Sequence, residues 1–262
     1  MLLPAGIFFT AFFLLPMARL FVIGGSGKMG WTAYAAIVTN GQYLRSLLST
    51  LAVAAATTAA TLVISGVAGI FLQRHRFPGS SVLVSLLTLP LAFPGVVIGF
   101  MVIMLAGRQG LIGDLARALT GETLVFAYSM AGLFMGYVYF SIPRVILTIM
   151  AAAEKLDPHL EEAARSLGAS PWQVVRDVII PGLTPAFLSS GAICFATAVG
   201  AFGTAFTLAT RINVLPLTIY TEFTLSANIA MAATLSFVLG AITWAVLALA
   251  RTAAGASVAA AG

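Results

Sequence analysis

The chain has 262 residues, of which 60% are hydrophobic and only 8% are charged, and its mean hydropathy is +1.05. Soluble domains carry about 25% charged residues, so this composition excludes an ordinary soluble domain and indicates a polytopic membrane protein. The net charge of +5 does not indicate a nucleic-acid partner, because the basic residues are scattered and such residues mark cytoplasmic loops in membrane proteins. The single Cys194 permits no internal disulfide.

Apolar runs of about 20 residues, the length that crosses a bilayer, predict about six membrane spans. The first run is expected to be a retained span, because it lacks a basic n-region and a small-residue cleavage site. We expect one membrane domain over residues 1–251, followed by a disordered tail over residues 252–262. The predicted spans cover residues 2–23, 44–72, 82–105, 124–150, 185–209 and 229–250.

Two prolines, Pro90 and Pro94, interrupt the third predicted span. A proline frees backbone carbonyls, which must find partners inside the protein or in a water-filled cavity. The kinked span is therefore a candidate for lining a solute pathway, although a kink that only shapes helix packing explains the same residues equally well. Residues 107–122 form a short amphipathic stretch, which predicts an interfacial helix on the outer side.

Four further residues are candidates for the pathway. Tyr139 in the fourth span faces either a solute or the aromatic belt at the membrane surface. Gly200, Gly203 and Thr204 leave a face of the fifth span without bulk, which suits either helix packing or the lining of a cavity. Residues 211–228 are predicted to form an outer loop that dips back toward the membrane.

Residues 157–181, between the fourth and fifth spans, form the longest stretch that cannot lie in hydrocarbon. Asp157 is a good N-cap, and the residue that follows it, Pro158, stands at the first helical position. Gly168 stands where a helix ends in a left-handed residue, and Ser170 begins a second start signal. The second helix is predicted to end at Pro181, which lacks the N–H needed to continue it.

The first of these two helices is amphipathic. Its apolar residues recur at i, i+3, i+4 and i+7 and predict one stripe, formed by Leu160, Ala163, Ala164 and Leu167. On another face, Glu161 and Arg165 are placed to pair at i, i+4. A helix with two alanines in its stripe suits docking into a groove on another protein. A solvated helix that merely connects two spans fits the spacing about as well.

The same segment resembles a known motif. Glu162-Ala163-Ala164, three residues, Gly168, nine residues and then Val178-Ile179-Ile180-Pro181 resemble the EAA loop of permease subunits from binding-protein-dependent ABC importers. Only Val178 and Ile180 depart from the family pattern, and both changes are conservative. The resemblance implies a coupling helix within residues 151–181 that docks on a cytoplasmic ATPase. The implied coupling residues are Leu160, Glu161, Glu162, Ala163, Ala164, Arg165, Leu167, Gly168 and Pro181.

Other segments are similar to the same family. Arg76-Phe77-Pro78-Gly79 resembles the sequence before its third span, and residues 89–97 resemble that span itself. Residues 198–206 resemble the segment after the EAA loop, but Ala201 stands where the family often has an acidic residue. Residues 215–220 resemble polyamine-, sulfate- and iron-type permeases, and the resemblance as a whole extends to phosphonate permeases.

The resemblance implies an all-α, type I importer permease fold with about six transmembrane helices. It also implies a bacterial inner membrane location with both termini cytoplasmic. The expected partners are two cytoplasmic ATPase subunits, a second permease subunit of the same or a homologous chain, and a periplasmic solute-binding protein.

We expect neither enzymatic activity nor a bound cofactor, because the chain has no complete phosphate loop and no metal-ligand spacing. The alternative is a carrier or assembly protein unrelated to ABC transporters. The absence of acidic residues within the spans argues against a proton-coupled carrier.

Overall fold

A computed structural model describes residues 2–75, 77–208 and 212–260 of the chain. Within those ranges every regular element is helical. The α-helices are α1 (Leu2–Phe9), α2 (Leu15–Gly25), α3 (Ala33–Thr39), α4 (Gly41–Arg74), α5 (Ser80–Thr88), α6 (Gly95–Ala106), α7 (Leu111–Thr120), α8 (Met130–Glu154), α9 (Pro158–Ser166), α10 (Pro171–Val174), α11 (Ile180–Val199), α12 (Phe202–Thr207), α13 (Leu215–Thr224) and α14 (Ile229–Ala260).

The prediction of six spans is confirmed. In the described part of the chain, six helical segments are long and apolar enough to cross a membrane. They are Leu3–Gly25, Gly41–Arg74, Gly95–Thr120, Met130–Glu154, Pro171–Val199 and Ile229–Gly255.

The third span is not the single kinked helix that was predicted over residues 82–105. Helix α5 ends in a 3-10 turn over Leu89–Ala92, and a new helix, α6, begins at Gly95. Phe93 between them is extended, with φ −100° and ψ 131°, as expected for a residue that precedes a proline. The two prolines therefore break this region completely. Helix α6 then runs, after a turn, into α7 within the spanning segment.

Helix α7 lies within the predicted amphipathic stretch. Its Leu111, Leu115 and Leu119 recur at intervals of four residues and are all exposed. The helix is confirmed, and its place on the outer side of the membrane stays a prediction.

The prediction that a helix ends at Pro181 is wrong. Helices α10 and α11 are joined by a π-helical turn over Val175–Ile179, and the Ile180 N–H donates to the Val175 carbonyl. In a regular α-helix, a proline lacks the N–H and its ring clashes with the carbonyl four residues back. The wider turn just before Pro181 relieves that conflict, so one helix runs from Pro171 to Val199.

The first span shows the same device. A π-helical turn over Thr10–Leu14 joins α1 to α2 just before Pro16, and the Leu15 N–H donates to the Thr10 carbonyl. Both prolines are therefore carried inside long helices.

The chain also differs from prediction at its end. Helix α14 continues to Ala260, past residue 252 at which the disordered tail was expected to begin, and residues 261–262 lie outside the described residues. The fifth span breaks at Gly200, after which α12 begins. The predicted outer loop contains α13, whose Leu215 is fully buried. Arg76, Ala209 and Arg211 also lie outside the described residues.

Helix α4 lies at the centre and packs against α8 and α11. Glycines allow this close approach. A Cβ at Gly69 would lie 3.2 Å from Ile149 Cγ2 of α8, and one at Gly191 of α11 would lie 3.0 Å from Leu62 Cδ1 of α4. A separate hydrophobic cluster, which includes Ile149 and Leu183, joins the ends of α8 and α11 to the segment around α9 and α10.

Candidate coupling site

The local signals predicted for α9 and α10 are confirmed. The Asp157 carboxylate accepts a hydrogen bond from the His159 N–H at 2.9 Å. Gly168 has φ +86°, a left-handed conformation that residues with a Cβ adopt at a cost. Ser170 and Gln173 form a reciprocal capping box: the Gln173 N–H lies 3.4 Å from Ser170 Oγ, and the Ser170 N–H lies 2.7 Å from Gln173 Oε1. These bonds fix where both helices begin and how they are joined.

The apolar stripe of α9 divides between two faces. Ala164 is half-buried and packs on the cluster that joins α8 and α11. Leu160, Ala163 and Leu167 point away from the protein, with Leu160 54% and Leu167 90% exposed. We call these three residues the coupling face. An apolar helix face left open in this way is the kind of surface that docks into a hydrophobic groove.

The predicted pair of Glu161 with Arg165 is wrong. Glu161 instead forms a two-bond ion pair with Arg74, the last residue of α4. Arg74 Nη1 donates to Glu161 Oε2 at 2.5 Å, and Nη2 donates to Oε1. The two side chains are only 26% and 14% exposed, whereas Arg165 lies exposed on the helix surface. Tertiary packing supplies a planar guanidinium that fits the carboxylate with two bonds, a better partner than a neighbour on the same helix.

Glu162, the acidic residue of the EAA-like motif, lies on the outside. Its carboxylate is 3.4 Å from His159 Nδ1, and both side chains are largely exposed. It is therefore free to meet a partner, while Glu161 is engaged within the chain.

Pro181 sits in the continuous helix that leads from α10 into the fifth span. Directly after it, Gly182 approaches Leu156 so closely that a Cβ would lie 2.5 Å from Leu156 Cδ2. The segment that carries the coupling face is thus packed onto the end of α8 and continues without interruption into α11.

The candidate pathway residues separate into two groups. Thr204 is buried and its hydroxyl donates to the Gly95 carbonyl at 2.9 Å, while a Cβ at Gly203 would lie 3.1 Å from the Val96 nitrogen. These two residues pack α12 against α6, and Pro90 is also buried.

Pro94, Tyr139 and Gly200 are exposed. Their place on a pathway stays a prediction.

Sequence reasoning missed a set of polar contacts between α4 and α13. The Tyr43 hydroxyl donates to Glu222 Oε1 at 2.9 Å. The Thr218 hydroxyl donates to Ser46 Oγ at 3.0 Å, and the Leu215 N–H donates to Thr50 Oγ1 at 2.7 Å. The only signal in the sequence is the spacing of residues 43, 46 and 50, which places three polar groups on one helix face.

A cavity of about 310 Å³ lies beside these contacts. Gln42, Asn213 and Glu222 line it, so two amides and one carboxylate face the cavity beside apolar side chains such as Ile212 and Leu217.

Residues 65–258 match the family of the binding-protein-dependent transport system inner membrane component. The chain belongs to this family. The match covers the coupling face, the N-caps of α9 and α10, and five of the six spanning segments in whole or in part. It sets aside the alternative of a membrane protein unrelated to ABC transporters, and the chain is a permease subunit of the ABC importer type.

Relatives of this permease are themselves transport permeases. Sulfate permease 2, chloroplastic, of Chlamydomonas reinhardtii is 38% identical over 161 residues, which are 62% of this chain and 43% of the algal protein. The sulfate transport system permease protein CysT of Escherichia coli is 32% identical over 201 residues, 75% of this chain and 69% of CysT. The putative 2-aminoethylphosphonate transport system permease protein PhnU of Salmonella typhimurium is 28% identical over 244 residues, 91% of this chain and 85% of PhnU. The permease thus spans less than half of the algal relative.

The fold also matches solved structures. A permease chain in the crystal structure of a bacterial alginate ABC transporter, in complex with an alginate pentasaccharide-bound periplasmic protein, superposes with a TM-score of 0.78. The match covers 95% of this chain and 91% of that chain at 16% identity, so it concerns the fold alone. The all-α importer permease fold is confirmed.

Proposed function

We propose that this permease carries a small polar or anionic solute across the membrane, driven by ATPase subunits that dock on the coupling face of α9. The observation that carries the proposal is the exposure of Leu160, Ala163 and Leu167 on a helix whose position is fixed. An exposed apolar helix face in water is unfavourable unless a partner covers it. A partner with a hydrophobic groove is the occupant that fits an amphipathic helix.

The proposed orientation follows from that partner. ATPase subunits are cytoplasmic, so α9 and the linkers on its side of the membrane lie in the cytoplasm, and with six spans both termini lie there too. Arg74, at the end of α4, then sits on the cytoplasmic side, as the bias of basic residues favours. The membrane is the bacterial inner membrane.

Two further partners complete the importer. A periplasmic binding protein delivers the solute on the opposite side, where α13 lies. A second permease, either another copy or a homologous chain, completes the pathway. One copy leaves many large apolar side chains of the first span exposed, among them Leu3, Phe8 and Phe12. Lipid and a second permease are the surfaces that suit them.

The proposed solute class is a small oxyanion of the sulfate or phosphonate kind. The sulfate permease protein CysT and the putative 2-aminoethylphosphonate permease protein PhnU match 75% and 91% of the chain, which supports the assignment. A strongly cationic solute suits the spans less well, because the acidic residues of the spanning segments, Asp114, Glu154 and Asp177, lie toward their ends.

The experiment is reconstitution of the permease with its ATPase subunits and binding protein, comparing the unmodified chain with Gly168→Pro. Proline fixes φ near −65°, which is incompatible with the φ of +86° at this turn. We expect loss of both ATPase assembly and solute uptake. Unchanged assembly and uptake would refute docking through α9.

A further inference from the structure

Helix α4 packs along its middle against α8 and α11, and each of its two ends makes polar contacts with a further helix. It has 34 residues, and at a rise of about 1.5 Å per residue it extends over about 51 Å, more than the hydrocarbon thickness of a bilayer. One end holds α9, and the other end holds α13. These attachments are made by polar side chains, whose hydrogen bonds are directional in a way that apolar contacts are not.

The inner attachment is the ion pair of Arg74 with Glu161. Two parallel bonds between a guanidinium and a carboxylate fix the relative orientation of the groups as well as their distance. Both side chains are mostly buried, so water screens the pair less than it screens a surface pair. Glu161 lies on the same helix as Leu160, next to it in sequence. Movement of the coupling face therefore displaces the end of α4 with it.

The outer attachment is made by three residues on successive turns of α4. Tyr43, Ser46 and Thr50 contact Glu222, Thr218 and the Leu215 N–H in antiparallel order. Thr50 is buried. The N-cap residue of α13 is Val214, and its side chain makes no capping hydrogen bond. The Leu215 N–H is one of the free donors at the start of a helix, and Thr50 satisfies it. The first turn of α13 therefore depends on α4.

The middle of α4 has a different character. Across residues 53–72 it packs closely against α8 and α11 through glycines such as Gly66 and Gly69, and it buries the hydroxyl side chains of Thr57, Thr61 and Ser65 there. Of these three hydroxyls, Ser65 Oγ donates to a neighbouring helix, to the Ile142 carbonyl at 3.4 Å, whereas those of Thr57 and Thr61 have no partner among the described residues. Hydrogen bonds to other helices therefore lie mainly at the two ends of one continuous helix, so a displacement of one end is carried along the helix to the other.

We propose that α4 transmits the movement of α9 to α13 and to the polar cavity beside it, with Arg74 as the positioning residue at the cytoplasmic end. The inference rests on the proposed function, because the movement originates in ATPase subunits docked on α9. It adds that the displacement of α9 reaches the outer face through α4, by way of the ion pair between Arg74 and Glu161.

The test uses the complete reconstituted transporter and a thiol probe at the outer end. Gln42 is exposed and lines the cavity, so Gln42→Cys provides a labelling site beside α13. The natural Cys194 is only 1% exposed and stays unlabelled. The labelling rate of Gln42→Cys by a methanethiosulfonate reagent is measured without nucleotide and after trapping with MgATP and vanadate. Arg74→Glu, Glu161→Arg and the double exchange are compared in this background.

A matched control is Arg251→Glu, which makes the same charge change at an exposed arginine of α14. Co-purification of the ATPase subunits is recorded for every variant. We expect a severalfold change in labelling on trapping in the parent and in the Arg251→Glu control. We expect that change to disappear in each single variant of the pair while the ATPase subunits still co-purify, and to return in the double exchange.

The other outcomes distinguish transmission through α4 from the proposed docking of ATPase subunits on α9. A nucleotide response that persists in Arg74→Glu and Glu161→Arg overturns the transmission through α4, and so does a double exchange that restores nothing. Loss of ATPase co-purification in the single variants also overturns it, because the pair would then serve to build the docking helix. Absence of ATPase co-purification with the unmodified permease overturns the proposed function instead.

Discussion

Replacement of Gly168 by alanine isolates the contribution of one backbone conformation to docking. No atom lies within 4 Å of a Cβ built on Gly168, so alanine meets no steric clash. Its cost comes from φ +86°, because a residue with a Cβ in the left-handed region loses roughly 1–2 kcal/mol relative to glycine. That free energy corresponds to a factor of about 5–30 in the population of the turn that joins α9 to α10.

The assay is a titration of the ATPase subunit against the permease in nanodiscs. If the coupling face needs this turn, the dissociation constant for Gly168→Ala rises by a factor in that range. Gly168→Asn serves as the matched control, because asparagine tolerates the left-handed region better than alanine does. We expect its affinity to lie between those of the alanine variant and the unmodified chain.

Two results would refute the reasoning. Binding of Gly168→Ala with unchanged affinity would mean that the turn does not position the coupling face. An equal loss in the alanine and asparagine variants would mean that the side chain itself, and not the backbone conformation, disturbs the contact.

Three further perturbations have defined outcomes. Ser170→Ala removes the capping box and costs about 0.5–2 kcal/mol of local helix stability, visible as faster amide exchange in α10. Gly99→Ala places a Cβ 2.6 Å from Thr207 Cβ, and we expect it to lower the free energy of unfolding of the detergent-solubilised protein by about 1–3 kcal/mol. Gly6→Ala, whose Cβ has no atom within 4 Å, is expected to cause no such loss. Leu167→Asp changes stability by no more than about 0.5 kcal/mol, since the side chain is 90% exposed, but abolishes ATPase co-purification.

Local features of the coupling site were predictable from the sequence. Asp157, Gly168 and Ser170 act through bonds and dihedral angles within a few residues, and their residue types carry that information directly. The six spans were predictable for a related reason, because the length and apolarity of a segment decide whether it can cross a bilayer.

Features that depend on tertiary packing were not predictable. Glu161 pairs with Arg74, 87 residues earlier in the chain, and spacing along α9 alone suggested Arg165. Pro181 continues a helix because a π-helical turn absorbs the conflict, and nothing in the residue types signals that turn. Thr204 was identified as a small polar residue on an open face, yet the approach of α6 buries it.

The most direct test of docking through α9 is cross-linking from Leu167→Cys in membranes that contain the assembled transporter. Because Cys194 is buried, the introduced thiol is the reactive one. We predict a cross-link from position 167 to the ATPase subunit, and none from Leu115→Cys on the exposed stripe of α7. Reaction of Leu167→Cys with an impermeant reagent added from the periplasmic side, with no ATPase cross-link, would contradict the account.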